Sequence, residues 1–257
     1  MTPFFTLFRR EIARFLKVIV QTVITPFVSS FLYLLIFGVS LGSTMPAHQG
    51  VSYMAFLIPG LMMMGLMNNA FQNSSSSIVS SKFSGDLEDL RVAPVSDQEI
   101  IWAMGLASLV RGFLVSVITY LVGTIFCYYQ QGTVLSVAHP LYAFYFIVVA
   151  GLIFGLLGIS VAFWATSFDQ LSAFSAFILL PLTYLGGVFL SIENLHPFWQ
   201  MISKLNPLLY MINGLRYGIV GVTDVSMSIA VPVSLLGFAV FYVLAFFSLR
   251  KGSFQRW

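Results

Sequence analysis

Residues 181–218 read PLTYLGGVFLSIENLHPFWQMISKLNPLLYMINGLRYG, and the order of apolar and polar pieces in this stretch decides the fold. An apolar run from residue 171 ends near 192 at a polar elbow, Glu193-Asn194-Leu195-His196-Pro197. Pro197 favours the start of a short helix, because the N–H it lacks is one that a helix's first turn leaves unpaired anyway. Phe198, Trp199, Ile202 and Leu205 give that helix an apolar face, and Asn206-Pro207 ends it. Residues 208–222 are apolar again but too few to cross a bilayer, which takes about 20. A segment that dips in and returns is expected here. Broken backbone at such depth survives only against protein or water, so the stretch needs other spans around it. Arg216 needs a partner at that depth, and Glu193 and Asp224 are the nearest acids in sequence.

The rest of the chain supplies those spans. It has 257 residues, of which 58% are hydrophobic and 8% charged, with a mean hydropathy of +0.93. A soluble domain carries roughly 25% charge, and a chain this apolar cannot cover its own surface with polar groups. Runs of helix-spanning length, without the short alternating segments of a barrel, specify an all-α membrane protein. The spans are expected near 18–41, 53–80, 99–128, 141–165, 171–192 and 228–249, in one domain covering 1–257. Residues 3–17 form a different helix. Phe4, Phe5, Phe8, Ile12, Phe15 and Leu16 share one arc, with Leu7 outside it and Arg10, Arg14 and Lys17 opposite. That pattern describes an amphipathic helix lying on an anionic leaflet.

Lys and Arg orient the spans. With the N-terminus inside, Arg9, Arg10, Arg14, Lys17, Lys82, Arg91, Arg250, Lys251 and Arg256 fall on the cytoplasmic side and only Lys204 and Arg216 outside. Both termini are therefore expected in the cytoplasm. The pI near 9 comes from these membrane-edge cations, so nucleic acid is not indicated as a partner. The lone Cys127 has no internal disulfide partner.

The cytoplasmic loop 82–98 reads KFSGDLEDLRVAPVSDQ. Gly85 permits a turn, Asp86 and Glu88 suit a helix start, and Leu87, Leu90 and Val92 supply apolar contacts. Pro94 ends the short helix, and Ser96 or Asp97 caps the next span. The second span is polar along its later part, with Asn68, Asn69, Gln72, Asn73, Ser76, Ser77 and Ser80 within about half the circumference. Such a face must meet other helices or a water-filled cavity. Asn69, Gln72, Asn73 and Ser76, with Arg111 deep in the third span, are the candidate pathway residues. Arg111 has three possible fates: to reach back to the cytoplasm, to pair with an acid, or to attract an anionic substrate group. Gly151, Gly155 and Gly158 offer a close helix contact, and Asp169 suits a helix cap in the tight 166–170 turn.

The 181–218 stretch, with Pro181, Gly186, Gly187, Glu193, Asn194, Pro197, Asn206, Pro207 and Arg216 in that order, resembles the signature region of the ABC-2 family of exporter permeases. Its compact size resembles the small bacterial YadH/NodJ-like branch. The loop matches as well, through Asp86 to Arg91 and Pro94-Val95-Ser96. Where that family commonly has a Glu-x-Gly-Thr-x-Glu run, this chain has Phe83-Ser84-Gly85-Asp86-Leu87-Glu88. The resemblance implies a multi-pass subunit of the bacterial inner membrane with an N-terminal interfacial helix and a coupling helix over 82–95. It also implies an external re-entrant hairpin over 193–227. Gly85, Asp86, Leu87, Glu88, Asp89, Leu90, Arg91 and Pro94 would dock on an ABC ATPase subunit. Two copies of that ATPase, carrying ATP and Mg, would serve a homodimer whose contacts come largely from the first and fifth spans. The cargo would be amphipathic: a lipid, a glycolipid, a lipid-linked polysaccharide or a drug, moved outward.

Catalytic patterns are missing. No Gly precedes a Lys, so there is no phosphate-binding loop, and no HExxH or metal-spaced Cys/His cluster occurs. A carrier or channel working without ATP is the alternative, and it would call for intramembrane acids, which the spans essentially lack. A lipid-modifying membrane enzyme would need a catalytic cluster, and only the external His48, His139 and His196 are on offer.

Overall fold

A computed structural model describes residues 3–42, 49–87 and 93–252. Glu88, Asp89, Leu90 and Arg91 of the expected coupling segment lie outside the described residues. Helix α1 spans Pro3–Leu16, α2 Ile19–Leu41, α3 Tyr53–Ser84, α4 Asp97–Gln131 and α5 Pro140–Trp164. Helix α6 spans Phe168–Leu185, α7 Pro197–Leu205, α8 Pro207–Val220 and α9 Met227–Lys251. Among the described residues there is no β-strand, and six helices (α2, α3, α4, α5, α6 and α9) are long and apolar enough to cross a membrane.

Local chemistry sets the helix ends. Ser96 accepts from Glu99 N while the Glu99 carboxylate accepts from Ser96 N, a reciprocal pair that pairs two otherwise orphan donors at the start of α4. Ser167, rather than Asp169, caps α6; Asp169 sits in its first turn. Gly85 ends α3 at φ 86°, a conformation that costs other residues their Cβ clearance. Lys82 thus belongs to the last turn of α3 rather than to the expected segment 82–95. Likewise α6 ends at Leu185, short of the expected 192, because Gly186 caps it and Gly187 turns the chain at φ 80°.

Helices α3 and α5 form the buried centre, while α2, α6 and α9 stand at the rim with most of their apolar side chains turned outward. Small residues permit this. A Cβ on Gly158 would collide with the Phe71 carbonyl, and one on Gly155 would meet Ser108 of α4. At that close approach Ser74 Oγ donates to the Gly155 carbonyl at 2.7 Å. Many α3 serines and asparagines also bond back to their own helix, as Ser75 does to Phe71 O and Asn69 to Gly65 O, which makes a polar helix tolerable in an apolar bundle.

Helix α1 lies against α4 and fully buries only Phe15 of its apolar arc, with Leu7 and Glu11 from outside it. Leu7, Glu11 and Phe15 are buried while Phe5 and Leu16 remain exposed. A helix with protein on one side and an exposed surface on the other splits its apolar residues between the two.

Candidate functional site

The polar face of α3 fronts a cleft between α2 and α6. Two adjoining chambers, of about 670 and 320 Å³, share Gln21, Asn68, Gln72, Arg111 and Leu180 as walls. Arg14, Ser75, Ser76, Phe168, Leu171, Ser172 and Ser175 line the chamber nearer the α3 C-terminus. Ser30, Tyr33, Leu61, Met64 and Asn69 line the other. Both rim helices are irregular: α2 holds Pro26 and a π-wound stretch at Leu34–Leu41, α6 a π-wound stretch at Ser175–Leu179 followed by Pro181. Such windings are frequent at functional sites.

Beside Tyr33 of the second chamber lies an aromatic cluster. The Phe189 ring lies 5.7 Å from Tyr33, 5.0 Å from Phe37 and 5.4 Å from Tyr184, joining α2 to the end of α6. Tyr53 donates to the Phe189 carbonyl at 3.0 Å, which ties this cluster to the start of α3.

Of the expected pathway residues, the structure brings Asn69, Gln72, Ser76 and Arg111 to the cleft wall. Asn73 is fully buried instead. Its amide donates to Ser108 Oγ at 3.3 Å, and its carbonyl and side-chain oxygens accept from Arg14. Arg14, expected on the outer polar face of α1, turns into the bundle, donates to Ser76 at 3.1 Å and pairs with Glu11 at 3.2 Å. Glu11 also accepts from Ser77 at 2.9 Å. Gln21, Arg14, Ser172 and Ser175 carried no local signal for a role in the cleft. They become lining residues only because α2 and α6 flank α3.

Arg111 sits roughly 21 Å along α4 from Asp97, at 1.5 Å per residue. Its Nε is buried without a hydrogen-bond partner, and among the described residues no ion pair or hydrogen bond to this side chain is found. Arg14 lines the same chamber.

Two further cations are fully buried and well held. Lys82 Nζ donates to the carbonyls of Ala162, Phe163 and Ala165 at 2.9, 2.9 and 3.1 Å, closing the C-terminal end of α5. Arg216, in α8, donates to Gly187 O at 2.7 Å, Asn213 Oδ1 at 3.2 Å and Phe56 O at 3.3 Å, and stacks 3.7 Å from the Phe56 ring centre. Its anchors are thus mainly backbone carbonyls. Glu193 is exposed, while Asp224 attracts Arg216 electrostatically and accepts from Ile192 N at 3.2 Å.

The remaining signature residues build the joint around that arginine. Asn206 ends α7 and caps α8, accepting from Leu208 N at 3.0 Å and donating to Leu182 O of α6 at 2.7 Å. Pro197 and Pro207 open their helices, Pro181 lies in the last part of α6, and Asn194 is exposed in a short turn beside Glu193. Asp86 is exposed and Leu87 buried, in one apolar cluster with Leu7 and Ile100. Pro94 lies in the bend before α4.

The ABC-2 type transporter family matches residues 2–220. The chain is 37% identical to the inner membrane transport permease YadH of Escherichia coli K12 over 247 residues, covering 96% of this chain and 94% of that one. It is 26% identical to nodulation protein J of Neorhizobium galegae over 247 residues, at 93% and 88% coverage. Against nodulation protein J of Rhizobium leguminosarum bv. viciae the identity is 23% over 249 residues, at 95% and 92% coverage. A polar-faced six-span bundle with no phosphate-binding loop, and these full-length likenesses, lead to one conclusion: the chain belongs to the ABC-2 type transporter family, the multi-pass membrane component of ABC transporters.

Proposed function

We propose that this chain is the permease of an ATP-driven exporter that moves an amphipathic molecule (a lipid, glycolipid, lipid-linked polysaccharide or drug) from the cytoplasmic side outward. The observation that carries this reading is the cleft between α2 and α6, polar along α3 and apolar at Val18, Phe168 and Leu180. A space with a polar wall and an apolar rim suits an amphipathic substrate. Both termini face the cytoplasm, in keeping with the Lys/Arg bias, and α1 rests at the interface with Phe5 and Leu16 toward lipid. α7 and α8 form the external re-entrant hairpin, and α7 is suited to an interface by its exposed Phe198, Trp199 and Leu205.

Two copies pair through α2 and α6, the rim helices with the least cover. Two ATPase subunits bind the cytoplasmic face and supply ATP and Mg; this chain contributes no hydrolytic group. The segment after Gly85 docks on them, with Asp86 offering charge and the apolar and charged residues that follow completing the contact. Closure of the ATPases moves that segment, and α3 carries the motion to the cleft.

The test is co-purification of the tagged chain from its native membrane, beside an Asp86→Lys/Glu88→Lys/Asp89→Lys variant. A stoichiometric ABC ATPase held by the native chain and lost from the variant, with both inserted equally, is the expected result. Equal ATPase yield and equal ATP turnover in the variant would refute the docking assignment. A chain that never retains an ATPase would refute the exporter reading.

A further inference from the structure

Every buried or half-buried cation described in the bundle has its acceptors, except one. Lys82 has three carbonyls, Arg216 two carbonyls and an amide oxygen, and Arg14 a carboxylate, a carbonyl and two polar side chains. Arg111 has none among the described residues, and its Nε is walled off from solvent. A half-buried guanidinium with no protein acceptor, at the wall of a cleft, is suited to be completed by an anion.

The surroundings identify that anion's place. Arg111 lines both chambers of the cleft, and Arg14 lines the larger of the two. No carboxylate lines either chamber among the described residues; Glu11 is committed to Arg10, Arg14 and Ser77. Asn68, Gln72 and Ser76 surround the two cations with neutral hydrogen-bonding groups, while Val18, Phe168 and Leu180 make the rim apolar. That chamber, at about 670 Å³, is larger than a bare ion needs.

We infer that this cleft is selective for amphiphiles with an anionic head group, a phosphate, sulfate or carboxylate seated between Arg111 and Arg14, whose apolar tail leaves between α2 and α6. That the bound molecule is cargo rests on the permease reading above; that the site prefers an anionic amphiphile does not. A planar guanidinium suits such a group because it donates to two oxygens at once.

The experiment titrates the purified chain in a neutral detergent with palmitoyl-lysophosphatidic acid or with palmitoyl-lysophosphatidylcholine, which has the same tail and a zwitterionic head. Native mass spectrometry reads occupancy. The expected result is at least about tenfold tighter binding of the anionic lipid, the size of one charge-assisted hydrogen bond. Arg111→Gln should abolish the preference and Arg111→Lys should keep most of it. Millimolar inorganic phosphate should not displace the anionic lipid. Equal binding of the two lipids by the native chain overturns the inference without any variant, and so does a preference that survives Arg111→Gln. Complete displacement by inorganic phosphate overturns the amphiphile and leaves a small-anion site. With the partner ATPase reconstituted, selective binding with no change in ATP turnover would uphold the anion site and count against the permease reading of the cleft.

Discussion

Replacing Lys82 with Met should measurably loosen the end of the bundle where α3 and α5 finish. Lys82 is fully buried, and its ammonium donates to Ala162, Phe163 and Ala165 carbonyls at 2.9–3.1 Å, with the Phe163 ring centre 5.9 Å away. Those carbonyls belong to the end of α5, where a helix runs out of its own N–H donors. Methionine keeps the length and apolar stem but provides no donor. Hydrogen bonds to a charged donor contribute about 1.5–3 kcal/mol each, and removing the ammonium also removes a desolvation penalty of several kcal/mol. The net loss is about 2–4 kcal/mol, most of it the cost of leaving buried carbonyls unpaired. For a chain of this size that corresponds to a midpoint lowered by roughly 5–15 °C. Thermal unfolding in detergent, followed by fluorescence-detected size exclusion, reads the midpoint. Hydrogen exchange reads the cause, because amides of residues 166–171 should exchange faster once the α5–α6 turn loses its anchor. A midpoint within about 2 °C of the native chain, with unchanged exchange in that turn, would refute the reasoning: the ammonium's desolvation would then cancel its bonds.

Arg216→Met should lower the same midpoint by a similar amount, and Arg216→Lys should recover less than half of it. A lysine cannot reach the Gly187 and Phe56 carbonyls together, and an unchanged midpoint in Arg216→Met would remove the arginine's anchoring role. On a Cys127→Ser background, a cysteine at Ser84 should label only from the cytoplasmic side and one at Thr133 only from outside. Both positions are exposed, and the reverse pattern would invert the proposed topology.

The local punctuation was legible in sequence because its causes are local. Gly85 turns the chain where only a residue without Cβ turns easily, and Ser96 caps α4 through an atom three residues away, whereas the equally local turn at Gly187 was hidden inside an apolar run. The polar stripe on α3 announced that something non-lipid faces it. It did not announce what: Asn73 and Gln72 are adjacent in sequence, yet one is buried between α1 and α4 and the other lines the cleft. The same holds for Arg14, whose charge counted toward membrane orientation but whose guanidinium reaches a carbonyl on α3.

Composition and period alone determined an all-α, six-span membrane chain, because a segment in lipid must satisfy its own backbone and bury or expose its side chains to hydrocarbon. Only the tertiary structure decided which charged groups are structural and which are left over. Lys82 meets carbonyls of residues 162–165, Arg216 meets those of Phe56 and Gly187, and Arg111 meets no acceptor among the described residues. The reason is physical: a carbonyl at a helix end is an acceptor in any sequence. Which cation reaches it depends on how helices far apart in the chain are packed, and no local pattern encodes that.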